Sequence, residues 1–221
     1  MEIRITPAVF HLLMINLLVF IAIQLIGAKV PEFVEHFLLT KSNLLGFRPV
    51  FLEGEKWVYV TPRGLLPYGP QDFHWYQVIT YFFAHTSFFH FLFNMIALYS
   101  LGVPVESVLG MRRFLWFYLF CGTFAGVTTA IFDPSSISII GASGAISGVA
   151  AGFALLFPHQ YLMIFPIPIP VKAKFLVLGF AIFSLIMAIF FPYSGSISHF
   201  GHLMGLVGGY LYFRILRWYL S

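Results

Sequence analysis

Charge is what this sequence has least of. Only 9% of its 221 residues are Asp, Glu, Lys or Arg, against roughly a quarter in an ordinary soluble domain. Cysteine is nearly absent too: Cys121 stands alone, which excludes an intramolecular disulfide and any disulfide-stapled scaffold. The basic residues form no clustered face, so no nucleic-acid partner is expected. A metal or other cofactor is not expected either, because the histidines singled out below have no carboxylate or thiolate beside them.

What is present is apolar. Hydrophobic residues make up 60% of the chain and aromatic ones 19%, and uncharged runs cover 5–28, 73–105, 114–132, 134–171 and 175–213. One membrane-spanning helix needs about 20 apolar residues, so the longer runs hold two elements each. Breaks come where proline and glycine interrupt them, at Pro158, at Pro166 to Pro170 and at 190–195. The expected fold is all-α: a single membrane-embedded domain over 1–221 with six transmembrane helices near 7–28, 88–104, 112–132, 143–157, 171–191 and 200–217. The first is longer than a signal-peptide core and no Ala-x-Ala site follows it, so it is expected to be retained.

Orientation follows from Lys and Arg placement. Arg4, Arg112, Arg113, Lys172, Lys174, Arg214 and Arg217 fall on one side of the six-span arrangement, and the short opposite loops near 133–142 and 192–199 hold none. That side is expected to be the cytoplasm, with both termini there, in an integral multi-pass protein of the lipid bilayer, the bacterial inner membrane being the expected location. The long first loop, about 29–87, is expected to carry structure of its own: an interfacial helix over 31–40 and two short strands within 49–61 around Glu53-Gly54-Glu55.

Two glycine rows stand out. Gly144, Gly148 and Gly152 recur every four residues in the fourth span, and Gly201, Gly205 and Gly209 do so in the sixth. That spacing clears one face of each helix for close packing, and the two spans are expected to touch. The fifth span has only Gly179 and is rich in Phe, Ile and Leu, which points to loose packing and to a gating role.

With the amino terminus inside, the even-numbered spans all begin in the outer layer. They bring His90 and Asn94, Ser143, and His199 with His202 to a shared depth. Taken singly, each residue has a structural explanation: serine bonds back to its own helix, and a lone His or Asn bridges helices. Together they make a hydrolytic set of nucleophile, base and oxyanion donors. A serine hydroxyl needs a base to take its proton, and histidine suits that near neutral pH. His202 shares its helical face with the glycine row and is the favoured base, with His199 its rival. Asn94, His90 and the Ser143 N–H are the oxyanion donors. No carboxylate is well placed as a third member, so a Ser-His dyad is expected. Glu106 is read as pairing with Arg112 at the inner end of the second span, and His85 as part of a hydrogen-bonded cap above the site.

On these residues the chain resembles the rhomboid family of intramembrane serine proteases. The pieces are Trp75 through His85, His90 and Asn94 to Met95, then Leu101 to Glu106, Gly110 to Phe114, Gly141-Ala-Ser-Gly-Ala145, and Gly201-His202-Leu-Met-Gly205; they span a core of about 75–217. The resemblance implies Ser143 as nucleophile, His202 as general base, and His90 and Asn94 in the oxyanion hole, with the site open to water on the extracytoplasmic side. It implies as substrate the transmembrane segment of another membrane protein, entering from lipid and unwinding near small residues. The sequence departs from the family at Ser147, where relatives often carry an aromatic ring against the catalytic histidine; a hydrogen bond from this serine to the imidazole is one alternative. The segment 46–70 has no family counterpart.

Three other classes fit the sequence less well. A catalytically inactive rhomboid-like protein that binds membrane segments would lack the nucleophile or the base. A small transporter would show broken helices in two repeated halves, and no such repeat is visible. A soluble α/β-hydrolase is set aside because its elbow needs glycine where Ala145 stands.

Overall fold

The computed structural model describes residues 5–27, 29–30, 32–37, 39, 51–53, 56–61, 64–66, 74–133, 139–164, 167–192 and 197–220. Its helices are α1 (Pro7–Ile26), α2 (Glu32–Glu35), α3 (Gln77–Thr80) running into a 3-10 turn at Tyr81–Phe83, α4 (Phe88–Leu109), α5 (Met111–Phe132), α6 (Ser143–Leu156), α7 (Ala173–Phe190) and α8 (His199–Leu220). Among the described residues α1, α4, α5 and α7 are long and apolar enough to cross a membrane, and α6 is a shorter apolar helix.

The first loop contains a small antiparallel sheet, β1 (Phe51–Glu53), β2 (Lys56–Thr61) and β3 (Gly64–Leu66). Glu53 pairs with Lys56 and Phe51 with Val58, so the hairpin read around Glu53-Gly54-Glu55 is present with a further strand added. The helix expected over 31–40 is only one turn long in α2, and Leu39 instead forms an isolated antiparallel bridge with Ile139. Residues 31, 38 and 40 of that expected helix lie outside the described residues. A second hairpin, β4 (Tyr161–Ile164) with β5 (Ile167–Lys172), occupies the proline-rich stretch read as a bare connection. Pro168 and Pro170 alternate at the strand period, so their missing N–H groups fall on one edge, where no ladder bond is lost.

α1 starts with proline at its first position, where the absent N–H has no partner to lose. Its free N-terminal donors are met by Glu106 from α4. The carboxylate accepts the Ala8 and Val9 N–H groups at 2.8 Å each and the Thr6 hydroxyl at 2.5 Å. This corrects the expected pairing of Glu106 with Arg112. A helix N-terminus offers fixed donors and a positive dipole end to a buried carboxylate, whereas Arg112 is exposed. α4 also runs past the expected end at 104, carrying Pro104 inside it and stopping at Gly110, whose φ of 76° turns the chain into α5.

α6 sits in the middle, packed against α4, α5, α7 and α8, and Gly144 through Val149 are all buried. Its contact with α8 is backbone to backbone. A Cβ at Gly205 would fall on the carbonyl of Gly144, one at Gly209 on the carbonyl of Gly148, and one at Gly148 would lie 3.0 Å from the Gly205 oxygen. At the ends of the two rows side chains fill the space: a Cβ at Gly152 would come 2.8 and 2.9 Å from the rings of Phe213 and Phe117, and one at Gly201 would face Ser198 and Thr129. α7 is held differently. Only Ala173 and Ser184 of its 18 residues are buried, and Gly179 has open space where a Cβ would stand.

Gly205→Ala should therefore destabilise the protein by about 1–3 kcal/mol through overpacking against α6. Gly179→Ala should be neutral or stabilise by roughly 0.5–1 kcal/mol as helix propensity dictates. Thermal unfolding in one detergent compares them, and equal effects at the two positions would contradict the close contact. Glu106→Ala should cost about 1–3 kcal/mol by leaving buried donors unmet, with protease sensitivity rising at the start of α1; unaltered proteolysis there would show that the cap is not what holds the helix.

Candidate active site

Ser143 is the first residue of α6. The turn before it, Gly141-Ala142, is shaped by the chain on both sides. Gly141 has φ 116°, a region open to glycine, and the His90 ring lies against it: a Cβ there would come 2.5 Å from His90 Cε1 and 3.0 Å from Nε2. The Gly141 N–H donates to the Tyr81 carbonyl at 2.9 Å, and the Ala142 N–H donates to His85 Nε2 at 3.3 Å. The turn is thus hung from the segment just before α4. Ser143 itself follows with its N–H among the first four of the helix, which have no intrahelical acceptor.

His85, expected in a cap above the site, bonds the serine turn directly. It is fully buried in the loop before α4 and meets the His90 ring edge to face, with centroids 5.2 Å apart. Burial, and next the neighbouring His90, push its pKa down to about 3, so the ring is neutral and Nε2 is free to accept from Ala142. Tyr81 is the partner that sequence reasoning missed. Its hydroxyl donates to the Gly122 carbonyl at 2.7 Å while its ring covers Gly126, and the adjacent Phe82 ring covers Gly122. The readable signal was a third four-residue glycine spacing, Gly122 and Gly126, in α5.

Asn94 is buried one turn below His90, and one amide N–H donates to the His90 carbonyl at 2.8 Å. That bond fixes the side chain along its own helix and leaves the second amide N–H for another acceptor. His202 is half-buried in the first turns of α8. Gly144, next to the serine, lies against Gly201 and Gly205, the residues that bracket His202, so Ser143 and His202 occupy adjacent levels of two touching helices. Among the described residues no hydrogen bond joins the Ser143 hydroxyl to an imidazole. Without substrate such bonds are often long and tighten only in the reactive complex.

Ser147 departs from one expectation. Its hydroxyl donates to the Ser143 carbonyl at 2.7 Å, so its proton goes to the helix and not to His202, as is usual for a serine inside a helix. The ring beside His202 comes from another element: Phe180 of α7, with centroids 5.5 Å apart and planes inclined by 37°. His199 stands one turn further out against Phe183, centroids 5.5 Å apart. It lines a shallow cleft with Asp133, Met187, Phe191 and Ser198 at the ends of α5, α7 and α8. Asp133 ends α5 and accepts a hydrogen bond from Ser198 at 3.3 Å; Ser198 Oγ in turn accepts the Gly201 N–H at 3.0 Å, capping α8.

Comparison with known proteins agrees with this arrangement at the level of the family. YdcA, a rhomboid protein of Bacillus subtilis, is 28% identical over 145 residues, 65% of this chain and 68% of that one. Rhomboid protease GluP of the same bacterium is 32% identical over 141 residues, 62% of this chain and 25% of that protein. Inactive rhomboid-related protein 2 of Caenorhabditis elegans is 25% identical over 142 residues, 64% of this chain and 40% of that protein. The match thus spans about two thirds of YdcA but well under half of the two longer relatives. The rhomboid domain model matches residues 72–219, a stretch that takes in the Tyr81–His85 support, His90 and Asn94, Ser143 and both glycine rows; the chain belongs to the rhomboid family.

Proposed function

We propose that this protein is an intramembrane serine endopeptidase that cleaves transmembrane segments of other membrane proteins. The observation that carries the reading is the contact of Gly144 with Gly201 and Gly205, which brings the start of the serine's helix to the turn that bears His202 while His90 lies over Gly141. In the proposed arrangement six helices, α1 and α4 to α8, span the bilayer as one unit with both termini in the cytoplasm. α6, with 14 residues, rises roughly 21 Å, less than a hydrocarbon core of about 30 Å. Its N-terminal end therefore opens into a water-filled recess below the outer surface, as hydrolysis at that depth requires.

The chemistry follows from the groups in place. Ser143 Oγ attacks the scissile carbonyl carbon as His202 takes its proton, and the carbonyl oxygen becomes an oxyanion facing the Ser143 N–H, the free amide N–H of Asn94 and His90. Collapse expels the amine, which receives the proton from His202, and leaves an ester on Ser143. Water attacks the ester with His202 again as base, releasing the acid and restoring the hydroxyl. No protein group bonds His202 Nδ1 among the described residues, in keeping with a dyad that has no carboxylate third member.

A second reading is favoured by the similarity to a relative whose name records it as inactive: a protein that binds membrane segments without cutting them. Labelling of the detergent-purified protein with a fluorophosphonate probe separates the two. The protease reading expects labelling that is lost in Ser143→Ala and His202→Ala and survives in His199→Ala. A folded wild type that takes no label would favour the binding reading, and loss in His199→Ala alone would move the base to His199. Asn94→Ala should lower kcat by roughly 10²-fold if its amide serves the oxyanion; an unchanged kcat would remove it from that role.

A further inference from the structure

The imidazole of His202 lacks the hydrogen bond that ordinarily orients a histidine acting as a base. Its Nδ1 is buried with no protein hydrogen-bond partner, so no carboxylate or carbonyl sets its orientation. Ser147, one turn after the nucleophile, is too short to lie against the ring, and its hydroxyl is taken by the Ser143 carbonyl. Two rings touch His202 among the described residues: Phe180, 5.5 Å away at a tilt of 37°, and His199, edge on at 6.1 Å. Phe180 is half-buried, while its neighbour along the helix, Phe183, is 51% exposed and meets His199 instead.

We propose that Phe180 is a positioning residue for His202, and that α7 thereby holds the base in its working rotamer only while this helix is docked. The inference rests on His202 being the base. Its physical ground is that an aromatic ring laid against an imidazole restricts both torsions of the histidine without forming a bond that would have to break at each proton transfer. The element carrying that ring is the one the bundle grips least. α7 buries only Ala173 and Ser184, whereas α5, α6 and α8 interlock through glycine-lined contacts. Moving α7 outward, as lateral admission of a helical substrate would require, takes Phe180 off His202. The base is then disordered while the site is open and ordered again when α7 redocks with substrate in place. Support for the base thus comes from a different helix than the one bearing the nucleophile.

Phe180→Ala, Phe180→Tyr and Phe183→Ala are compared with wild type in lipid nanodiscs. For Phe180→Ala the expected result is a fall in kcat and in the fluorophosphonate labelling rate of Ser143 of roughly 3- to 10-fold, the scale set by one aromatic contact, with KM little altered. Phe180→Tyr, which keeps the ring, should return most of the rate. Phe183→Ala should stay within about twofold of wild type, since among the described residues its ring contact is with His199, outside the proposed dyad. Carbethoxylation of His202 by diethyl pyrocarbonate, read by peptide mass, should be faster in Phe180→Ala than in wild type, and this readout needs no catalysis. A Phe180→Ala protein with wild-type labelling and kcat, or a loss shared equally by Phe183→Ala, overturns the proposal. So does a change confined to KM, which would assign Phe180 to substrate passage. Failure of the protease reading is separately visible as a wild type that never labels; faster carbethoxylation in Phe180→Ala would then establish the ring contact while removing its catalytic meaning.

Discussion

Everything at this site depends on two helix backbones touching. Between helices in lipid there is no hydrophobic gain from association, because lipid tails are as apolar as leucine, and close packing has to supply it. Gly205 and Gly209 let the carbonyls of Gly144 and Gly148 come into the space that a Cβ would fill. The consequence is geometric as much as energetic: with backbone against backbone at these two levels, the axial level of one helix is locked to that of the other. Ser143 begins α6 beside Gly144 and His202 lies between Gly201 and Gly205, so their relative heights are set by glycines within one turn of each. A larger residue in the row would shift Ser143 against His202 while leaving both side chains in place.

The second constraint is the cost of buried backbone donors. A helix that starts inside the protein leaves N–H groups in its lead-in turn that water would otherwise meet. Here the Gly141 and Ala142 N–H groups are taken by Tyr81 and His85, and Leu39 bridges to Ile139 just upstream. The Ser143 N–H is the first not taken by that support, which is what an oxyanion donor requires. The stretch from Gln77 to His85, wedged under Gly122 and Gly126 of α5, is therefore a scaffold for the serine turn as well as a connection between helices.

The helices were legible in the sequence because membrane spans are apolar runs punctuated by proline and glycine. The starts at Phe88, Ser143 and His199 and the contact between the glycine rows follow from spacing alone. What spacing does not reveal is which distant segment meets which face. Glu106 was read as the partner of Arg112 because the two are close in sequence, yet its carboxylate reaches across to Thr6, Ala8 and Val9, where a helix start offers several donors at once. The proline-rich stretch after α6 was read as a break, and its alternate prolines allowed a strand edge. His85 to Ala142 and Phe180 to His202 join residues 57 and 22 positions apart, with no local pattern to announce either.

The two halves of the proposed dyad are held by unlike means, and that difference fits the function proposed for it. Ser143, the proposed nucleophile, starts the central helix, with its lead-in turn bonded and its neighbours closed against α5 and α8. His202, the proposed base, stands on a helix locked to α6 through glycines, but its ring leans on α7, which among the described residues is the long helix with the fewest buried. A membrane protease has to admit a whole helix from the side and still hold reacting atoms to within a fraction of an ångström. Concentrating motion in one weakly packed helix meets the first demand, because local opening is least costly where few contacts are lost. In that proposal the serine turn and the proposed oxyanion donors stay undisturbed, and the helix that would move is tied to the group whose orientation would decide whether the serine can lose its proton.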